Sequence, residues 1–459
     1  MKCAPLIILA FLVGCAAPSP ETSRSTGPVL TLPAMKTFST ANPTRPQTSN
    51  TQIAREYLEL VFRLESGDRV PNFSRFEAPI TVRVDGTAPP TLGPDLDRLL
   101  ARMRREAGLD IKRVPSSDTA AISIVPVRRA QIRRAAPTAA CFVRPNISSW
   151  DEYRARRNDP ETFWTNLTKR ERMAVFLPSD VSPQEMRDCL HEEIAQALGP
   201  VNDIFRLGDS VFNDDNFHTV LTGYDMLILA VHYDEALRPG MNEAQVAAAL
   251  PGILARLNPR GGRGGLAPPR PDNGRWKTAI TQATDTRLSR TRRASAADRA
   301  VGLAFENAQT NDLRLALSYY MQGRLTLGRD PEKALRSFLL AGAIYKARPE
   351  TRIQQAHVDL QIAAFQLAAG RAEDAQRTID ANLSAVRRAE HASLLSLMLL
   401  LKAETFRLQD KDAEADRLQQ DALGYARYGF GNSDIVRERA SEIFAISPRN
   451  RPNQGDRPT

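Results

Sequence analysis

Apolar positions follow two different periods in the first half of the chain. Residues 80–84 alternate between apolar and polar side chains, and apolar runs at residues 121–127 and 173–177 predict two further strands. Residues 96–107 instead place apolar side chains at helical spacing. Because strands and helices are interspersed, we expect an α+β fold with a mixed domain of sheet and helices.

The best-marked helix of this half begins after Ser182. Ser182 is a candidate N-cap, Pro183 suits the first helical position, and Glu185 would complete a capping box. The Gly-Pro pair at residues 199–200 predicts the end of this helix. A later apolar segment has Thr222 as its candidate N-cap, which predicts another helix.

Helix-forming residues dominate the second half of the chain. From residue 297 the composition changes to Ala, Leu, Gln, Glu and Arg, with few β-branched residues. Three helix starts share an alanine at intervals of about 40 residues, and the second and third also share a small residue one helix earlier. These alanines are Ala334, Ala375 and Ala415, preceded by Ala363 and Ala403. The pattern resembles lengthened tetratricopeptide repeats, which are helical hairpins; a helical bundle without repeats is the alternative.

Shifts in composition divide the chain into segments. The stretch before residue 50 is rich in Pro, Ser and Thr without apolar periodicity, which predicts a flexible tether. The segments are a signal peptide at 1–14, a disordered tether at 15–50, an α+β domain at 51–255, an Arg-, Gly- and Pro-rich linker at 256–296, helical repeats at 297–446 and a disordered tail at 447–459.

Residues 1–15 indicate where the protein is found. Lys2 precedes an apolar run that is too short to span a bilayer and is typical of a signal peptide. The run ends in Leu12-Val13-Gly14-Cys15, which resembles the lipobox of bacterial lipoproteins. This resemblance implies cleavage before Cys15 and its acylation, and therefore a lipid-anchored protein of the bacterial cell envelope. Ala16 implies the outer membrane, facing the periplasm; an ordinary secretory signal with a chance cysteine is the alternative.

The cysteines agree with an oxidising compartment. The chain has 4 cysteines, of which Cys3 leaves with the signal peptide and Cys15 carries lipid. Cys141 and Cys189 remain, and a leftover pair in the envelope predicts one disulfide. Two free buried thiols are the alternative.

The basic balance of the chain bears on its partners. The net charge is +9, mostly from arginines clustered at residues 98–105, 128–134 and 256–275. The envelope address and the lack of aromatic residues among these arginines argue against nucleic acid. Two explanations of the positive charge remain: binding to anionic lipid headgroups, or a solvated basic surface. We expect two partners, the membrane through Cys15 and a protein on the helical repeats.

Residues 191–203 resemble the active-site helix of metzincins, the zinc peptidases with an extended metal motif. When the Leu-Gly pairs are aligned, Glu193 falls on the catalytic Glu, and Glu192, Gln196 and Asn202 fall on the three zinc ligands. One carboxylate and two amides hold zinc poorly, so we expect no metal and no other cofactor. A helical wheel points Glu193 inward, where a lone carboxylate must be paired, hydrogen-bonded or protonated.

Three blocks of sequence resemble a family of bacterial lipoproteins known only as domain of unknown function 2927. The blocks cover residues 73–80, 189–203 and 210–241, and both their order and their spacing match. The resemblance implies an envelope lipoprotein with a degenerate metzincin-like domain and supplies no activity.

These observations favour a non-catalytic binding or scaffold protein with a peptidase-derived domain and helical repeats. The first alternative is an atypical peptidase-like hydrolase that uses Glu193 with a non-zinc metal or none. The second is a sensor or assembly factor that binds a peptide in the old substrate cleft and a protein on the repeats.

Overall fold

The computed structural model describes residues 30–38, 43–46, 48–262, 274–306 and 312–450. They fall in two compact units. Ala41–Pro268 supplies an α/β unit, and Met1–Thr40 together with Pro269–Thr459 supplies a helical unit. The predicted signal peptide, Cys15 and residues 451–459 of the predicted tail lie outside the described residues.

The α/β unit is built on a mixed five-stranded sheet with the order β2-β1-β3-β5-β4. β4 runs antiparallel to β5, and the other neighbours are parallel. The strands are β1 (Ile80–Val84), β2 (Ile111–Arg113), β3 (Ile122–Val127), β4 (Phe142–Pro145) and β5 (Met173–Pro178). The three strands expected from the apolar pattern are β1, β3 and β5, which occupy the middle of the sheet. The sequence did not predict the edge strands β2 and β4.

The described residues of this unit form seven α-helices: α1 (Asn50–Phe62), α2 (Leu92–Ala107), α3 (Arg129–Ala135), α4 (Trp150–Arg156), α5 (Pro183–Leu198), α6 (Gly223–His232) and α7 (Glu243–Leu257). The expected helix at residues 96–107 is α2, which starts one turn earlier. Its Leu96, Leu99 and Met103 are fully buried.

β3 and β5 lie in the middle of the sheet, and a hydrophobic core covers each of their two faces. Ile122 and Val175 face the larger core, which holds α1, α2, α5, α6 and α7. Val125 and Phe176 face a smaller aromatic core against Tyr153 of α4. Burial on both faces explains why these strands appear in the sequence as continuous apolar runs.

The helical unit consists of helices in which each packs against the next along the chain. Their bounds are α8 (Gly274–Thr284), α9 (Arg290–Glu306), α10 (Leu313–Thr326), α11 (Pro331–Lys346), α12 (Arg352–Ala368), α13 (Ala372–Arg388), α14 (Ala392–Arg407), α15 (Asp412–Phe430) and α16 (Ser433–Phe444). Together with the sheet unit they confirm the α+β class. Among the described residues, no helix combines the length and apolarity needed to cross a bilayer.

The expectation of a linker at residues 256–296 is corrected by the structure, because α8 and the start of α9 lie within this range. Trp276, Ala279, Ile280 and Ala283 are buried at helical spacing, and the Trp276 indole donates to Ser318 Oγ of α10 at 3.0 Å. The Arg, Gly and Pro content of the preceding residues concealed this apolar stripe.

Small residues let the helices of this unit approach closely. The five alanines singled out by the repeat pattern are all fully buried: Ala334, Ala363, Ala375, Ala403 and Ala415. A Cβ on Gly323 of α10 would lie 2.6 Å from Phe338 Cε1 of α11, too near for any real side chain. Close packing of successive helices therefore explains the spacing of small residues.

Two pieces of the expected tether and tail pack on the helical unit. Residues 30–38 lie against α15 and α16, and Pro448–Asn450 forms a short 3-10 helix. Asn450 donates to the carboxylate of Glu404 and to the carbonyl of Phe444. The flexible segments predicted on both sides of the folded units thus include ordered, hydrogen-bonded chain.

Candidate functional site

α5 carries the motif resemblance, and its start forms as the sequence predicts. Ser182 Oγ accepts a hydrogen bond of 3.1 Å from the Glu185 backbone N–H, and Pro183 occupies the first turn. The Glu185 carboxylate pairs with the Arg129 guanidinium instead of completing the expected capping box. One half of the predicted start signal is therefore confirmed, and a tertiary ion pair replaces the other half.

The end of α5 is fixed by a ring packed against its glycine. A Cβ on Gly199 would lie 2.8 Å from Cγ of His232. His232 is itself held, since its Nδ1 meets the Tyr57 hydroxyl at 2.9 Å and its Nε2 meets the Ser74 carbonyl at 3.1 Å. Close approach of the imidazole therefore requires glycine at this position.

Arg170 caps the same end of the helix. Its guanidinium donates to the carbonyl oxygens of Gln196, Ala197 and Gly199 at 2.6, 2.7 and 2.6 Å. Arg170 is buried and stacks over the Trp164 ring, and burial lowers its pKa to about 10, so it stays charged at neutral pH. A cation at a helix C-terminus complements the helix dipole and satisfies carbonyls that have no partner within the helix.

A disulfide joins α5 to the edge of the sheet. Cys141, directly before β4, is bonded to Cys189 of α5 with a Cα–Cα distance of 5.9 Å. The prediction of one bond between these cysteines is confirmed. It closes a loop of 48 residues and fixes one side of the helix to β4.

Two carboxyl side chains in and just after α5 are buried, those of Glu193 and Asp203. Glu193 is 4% exposed and Asp203 7%, whereas Glu192 is partly exposed. Gln196 Nε2 donates to Asp203 Oδ2 at 3.1 Å. Among the described residues, Oε2 of Glu193 and Oδ1 of Asp203 are buried without a hydrogen-bond partner.

Burial changes the protonation of these carboxyl groups. It raises the pKa of Glu192 to about 8, aided by the charges of Asp214 and Glu65. Burial raises the pKa of Glu193 well above its usual range, with Glu192 and Glu65 as further causes. The pKa of Asp203 is raised in the same way, mainly by burial, and a hydrogen bond with Glu65 adds to it. Burial therefore favours the neutral, protonated form of both Glu193 and Asp203 over the carboxylate.

Asn202 lies apart from this cluster. Its amide donates to the backbone carbonyl of Glu59 in α1 at 3.2 Å, while Gln196 serves Asp203. Gln196 and Asn202 therefore bond to different partners.

The loop after α5 is organised by Asp225, the third residue of α6. Its carboxylate accepts from Ser210 Oγ at 2.5 Å and from the backbone N–H groups of Val211 and Thr222 at 3.1 and 2.8 Å. Thr222 Oγ1 in turn accepts from the Asp225 N–H, which completes a capping box. The predicted cap at Thr222 is confirmed.

The three sequence blocks singled out earlier meet in space. The Phe73 N–H donates to the Met241 carbonyl at 2.8 Å, and the Gly240 N–H donates to the Phe73 carbonyl at 2.9 Å. Ser74 Oγ accepts from Arg170, which caps α5. The blocks therefore mark the contacts that hold α5 and the chain after it in place.

The α/β unit is similar to a known protein family. Residues 50–252 match the family model described as Protein of unknown function (DUF2927). Residues 50–252, called the DUF2927 domain below, are therefore similar to this family of unknown function, in the segment where the resemblance was expected. No curated protein matches the chain.

The histidines of the DUF2927 domain are occupied by structural bonds. His191 Nδ1 accepts from the Leu221 N–H at 3.1 Å, and His218 Nε2 donates to the Gly208 carbonyl at 3.1 Å. Burial lowers the pKa of His218 to about 4 and that of His191 and His232 well below the usual range. All three are neutral rings committed to the fold.

The residues of this site do not fit zinc. Zinc prefers imidazole and thiolate, whereas the domain's cysteines are bonded to each other and its histidines face other partners. Within the described ranges, no group of three or more His, Cys, Asp or Glu side chains is arranged to hold a metal ion.

Sequence reasoning missed three carboxylates of this site. Asp203 reaches Gln196 through the turn after Gly199, and Glu65 follows α1. Asp214 adds negative charge from the loop after α5. Only Asp203 had a signal, its place at the end of the motif.

Proposed function

We propose that this protein is a lipid-anchored lipoprotein of the bacterial envelope in which the DUF2927 domain is non-catalytic and the helical unit binds a protein partner. The observation that carries the first part is the state of Glu193. It is buried, and burial raises its pKa well above the usual range, which favours the neutral form over the carboxylate that a peptidase base needs. The residues at the three ligand positions offer no zinc site.

Descent from a metzincin-like peptidase is supported by what the domain keeps. α5 follows the last strand of a mixed sheet, begins at Ser182 and ends at Gly199, where the motif turns. His232 packs against the glycine and Arg170 caps the helix end, so protein contacts hold this end of α5. We infer that the domain kept the fold of such a peptidase and lost its catalytic zinc site.

A binding role for the helical unit is supported by its construction from successive packed helices with small residues at repeating positions. This is the construction of tetratricopeptide-like repeats, which present extended surfaces to protein partners. The lipobox-like run that ends at Cys15 supports the anchor, and acyl chains on that cysteine would hold the protein at the membrane.

The catalytic part of the proposal is tested by hydrolysis. The chain from residue 16 onward is assayed against a mixed peptide library, with Glu193→Gln as the matched variant. The proposal predicts equal, background cleavage by both proteins from pH 5 to 9. Cleavage that disappears in Glu193→Gln would contradict it.

One observation favours a second candidate, a metal-independent hydrolase. Glu193 and Asp203 each present a buried carboxyl oxygen without a hydrogen-bond partner among the described residues, and buried acids with raised pKa values can act as general acid or base. This candidate predicts a bell-shaped pH profile that is lost in both Glu193→Gln and Asp203→Asn. A flat profile in the same library assay removes it.

A further inference from the structure

We propose that α13, α15 and α16 form a peptide-binding site, and that the chain's own residues 30–38 occupy it in cis. This segment is called the strap below. The inference deepens the proposed binding role of the helical unit by naming a surface and its ligand class. It does not involve the lipid anchor or the DUF2927 domain, so its failure would leave those parts of the proposal standing.

The main chain of the strap is held at three points. The Lys36 N–H donates to the carbonyl of Gly424 at 2.9 Å. Arg427 of α15 donates to the Pro33 carbonyl at 2.6 Å, and Arg437 of α16 donates to the Leu30 carbonyl at 3.3 Å. Contacts to main-chain atoms over seven residues recognise an extended peptide, and Pro33 favours that conformation before binding.

A glycine inside α15 admits the strap. Gly424 lies in the interior of the helix, where glycine costs about 1 kcal/mol relative to alanine. A Cβ at this position would lie 2.8 Å from Lys36 Cγ and 3.3 Å from the Ala34 carbonyl oxygen. The close approach of the strap therefore explains why glycine occupies this helix position.

Two side chains of the strap supply specificity. The Phe38 ring stacks on Tyr425 with a centroid distance of 5.3 Å, and Arg387 of α13 lies over the Tyr425 ring at 5.7 Å. Lys36 forms an ion pair with Asp421. Phe38 is buried although Thr37 beside it is exposed, which makes Phe38 the anchor of the interaction.

Other strap positions contribute little. Met35 is 39% exposed, and Ala34 and Thr37 are exposed as well. The site therefore selects an extended segment with proline, then a cation three residues later, then an aromatic residue two further on. Because the strap is part of the same chain, it binds as an intramolecular ligand and excludes weaker ligands.

The test uses a labelled synthetic peptide of residues 28–40 and fluorescence anisotropy. Its receptor is the chain from residue 16 onward with the strap replaced by a Gly-Ser segment of equal length. We expect saturable binding to this receptor and binding to the unaltered chain that is weaker by about tenfold or more, because there the site is filled. A peptide with Phe38→Ala should bind about tenfold more weakly, and one with Met35→Ala about equally.

The receptor side has a matched pair of glycine variants. Gly424→Leu in the strap-replaced chain should abolish binding, whereas Gly302→Leu in α9, where a Cβ would meet open space, should leave it unchanged. Leucine favours helix at both positions, so folding is not at risk. Absence of saturable binding, equal binding by the unaltered chain, or equal effects within either pair of variants would overturn the proposal.

Discussion

The guanidinium of Arg170 lies within 2.6 Å of the carbonyl oxygen of Gly199, and the two residues together end α5. The same guanidinium reaches two further carbonyls of the last turn, so one buried cation satisfies three main-chain acceptors. Removing it leaves those acceptors buried and unpaired.

We therefore expect Arg170→Met to lower the free energy of unfolding by about 3 kcal/mol or more. The exposed Arg133 of α3 is the control, since Arg133→Met should change stability by less than about 0.5 kcal/mol. Urea unfolding of the two variants measures the difference. Equal stability would show that the cap is not needed.

Gly199→Ala should destabilise the DUF2927 domain by about 1–3 kcal/mol, because the new methyl group would press on the His232 ring. Gly252 of α7 is the matched control. A Cβ there meets open space, so Gly252→Ala should raise stability by up to about 1 kcal/mol through helix propensity. Thermal unfolding that shifts in the same direction for both would refute the packing argument.

The disulfide between Cys141 and Cys189 should stabilise the domain by about 2–4 kcal/mol, because it constrains the unfolded chain. A reducing agent should lower the melting temperature of the unaltered protein and leave that of the Cys141→Ala, Cys189→Ala double variant unchanged. If the melting temperature of the unaltered protein does not respond to reduction, the bond is not a stabilising element.

Stability should fall as the pH rises above neutral. The pKa of Glu192 is about 8 in the folded state, above the usual 4.5, so folded protein binds its proton more tightly than unfolded protein. The resulting stabilisation is complete below pH 4.5 and is lost as the pH rises through 8. Glu193 and Asp203 have raised pKa values and act in the same direction.

Glu192→Gln removes one of these ionisations. It should raise stability at pH 9 by about 1–2 kcal/mol, less than the full shift because Glu192 is partly exposed, and should have little effect at pH 5. Denaturant unfolding at the two pH values measures this. A gain of equal size at both values would mean that the carboxyl group is not shifted.

How far the sequence predicted the fold depended on how local each signal was. β3 and β5 are buried along almost their whole length, so their apolar runs predicted them. The start of α5 was predictable because three neighbouring residues mark it. β2 and β4 are short edge strands, with only Ile111 buried in β2, and tertiary pairing creates them. The position of α8 was hidden because Gly and Arg surround its apolar stripe.

The same distinction holds for the site. That Glu193 faces inward followed from the helical wheel, since α5 is regular. That Gln196 would meet Asp203, and Asn202 would meet the Glu59 carbonyl, depends on how the turn after Gly199 folds back on α1. No local pattern encodes that turn. The role of Arg170 could not be predicted either, because Arg170 lies 29 residues before Gly199 in the chain.

We propose above that α5 keeps the fold of a zinc-peptidase helix without its metal site. The most direct test of this proposal is elemental analysis of the chain from residue 16 onward, purified, incubated with zinc, calcium or manganese, and dialysed. Glu193→Gln is carried through the same procedure. The account predicts metal far below one ion per chain in both proteins. One ion per chain in the unaltered protein, lost in Glu193→Gln, would contradict it.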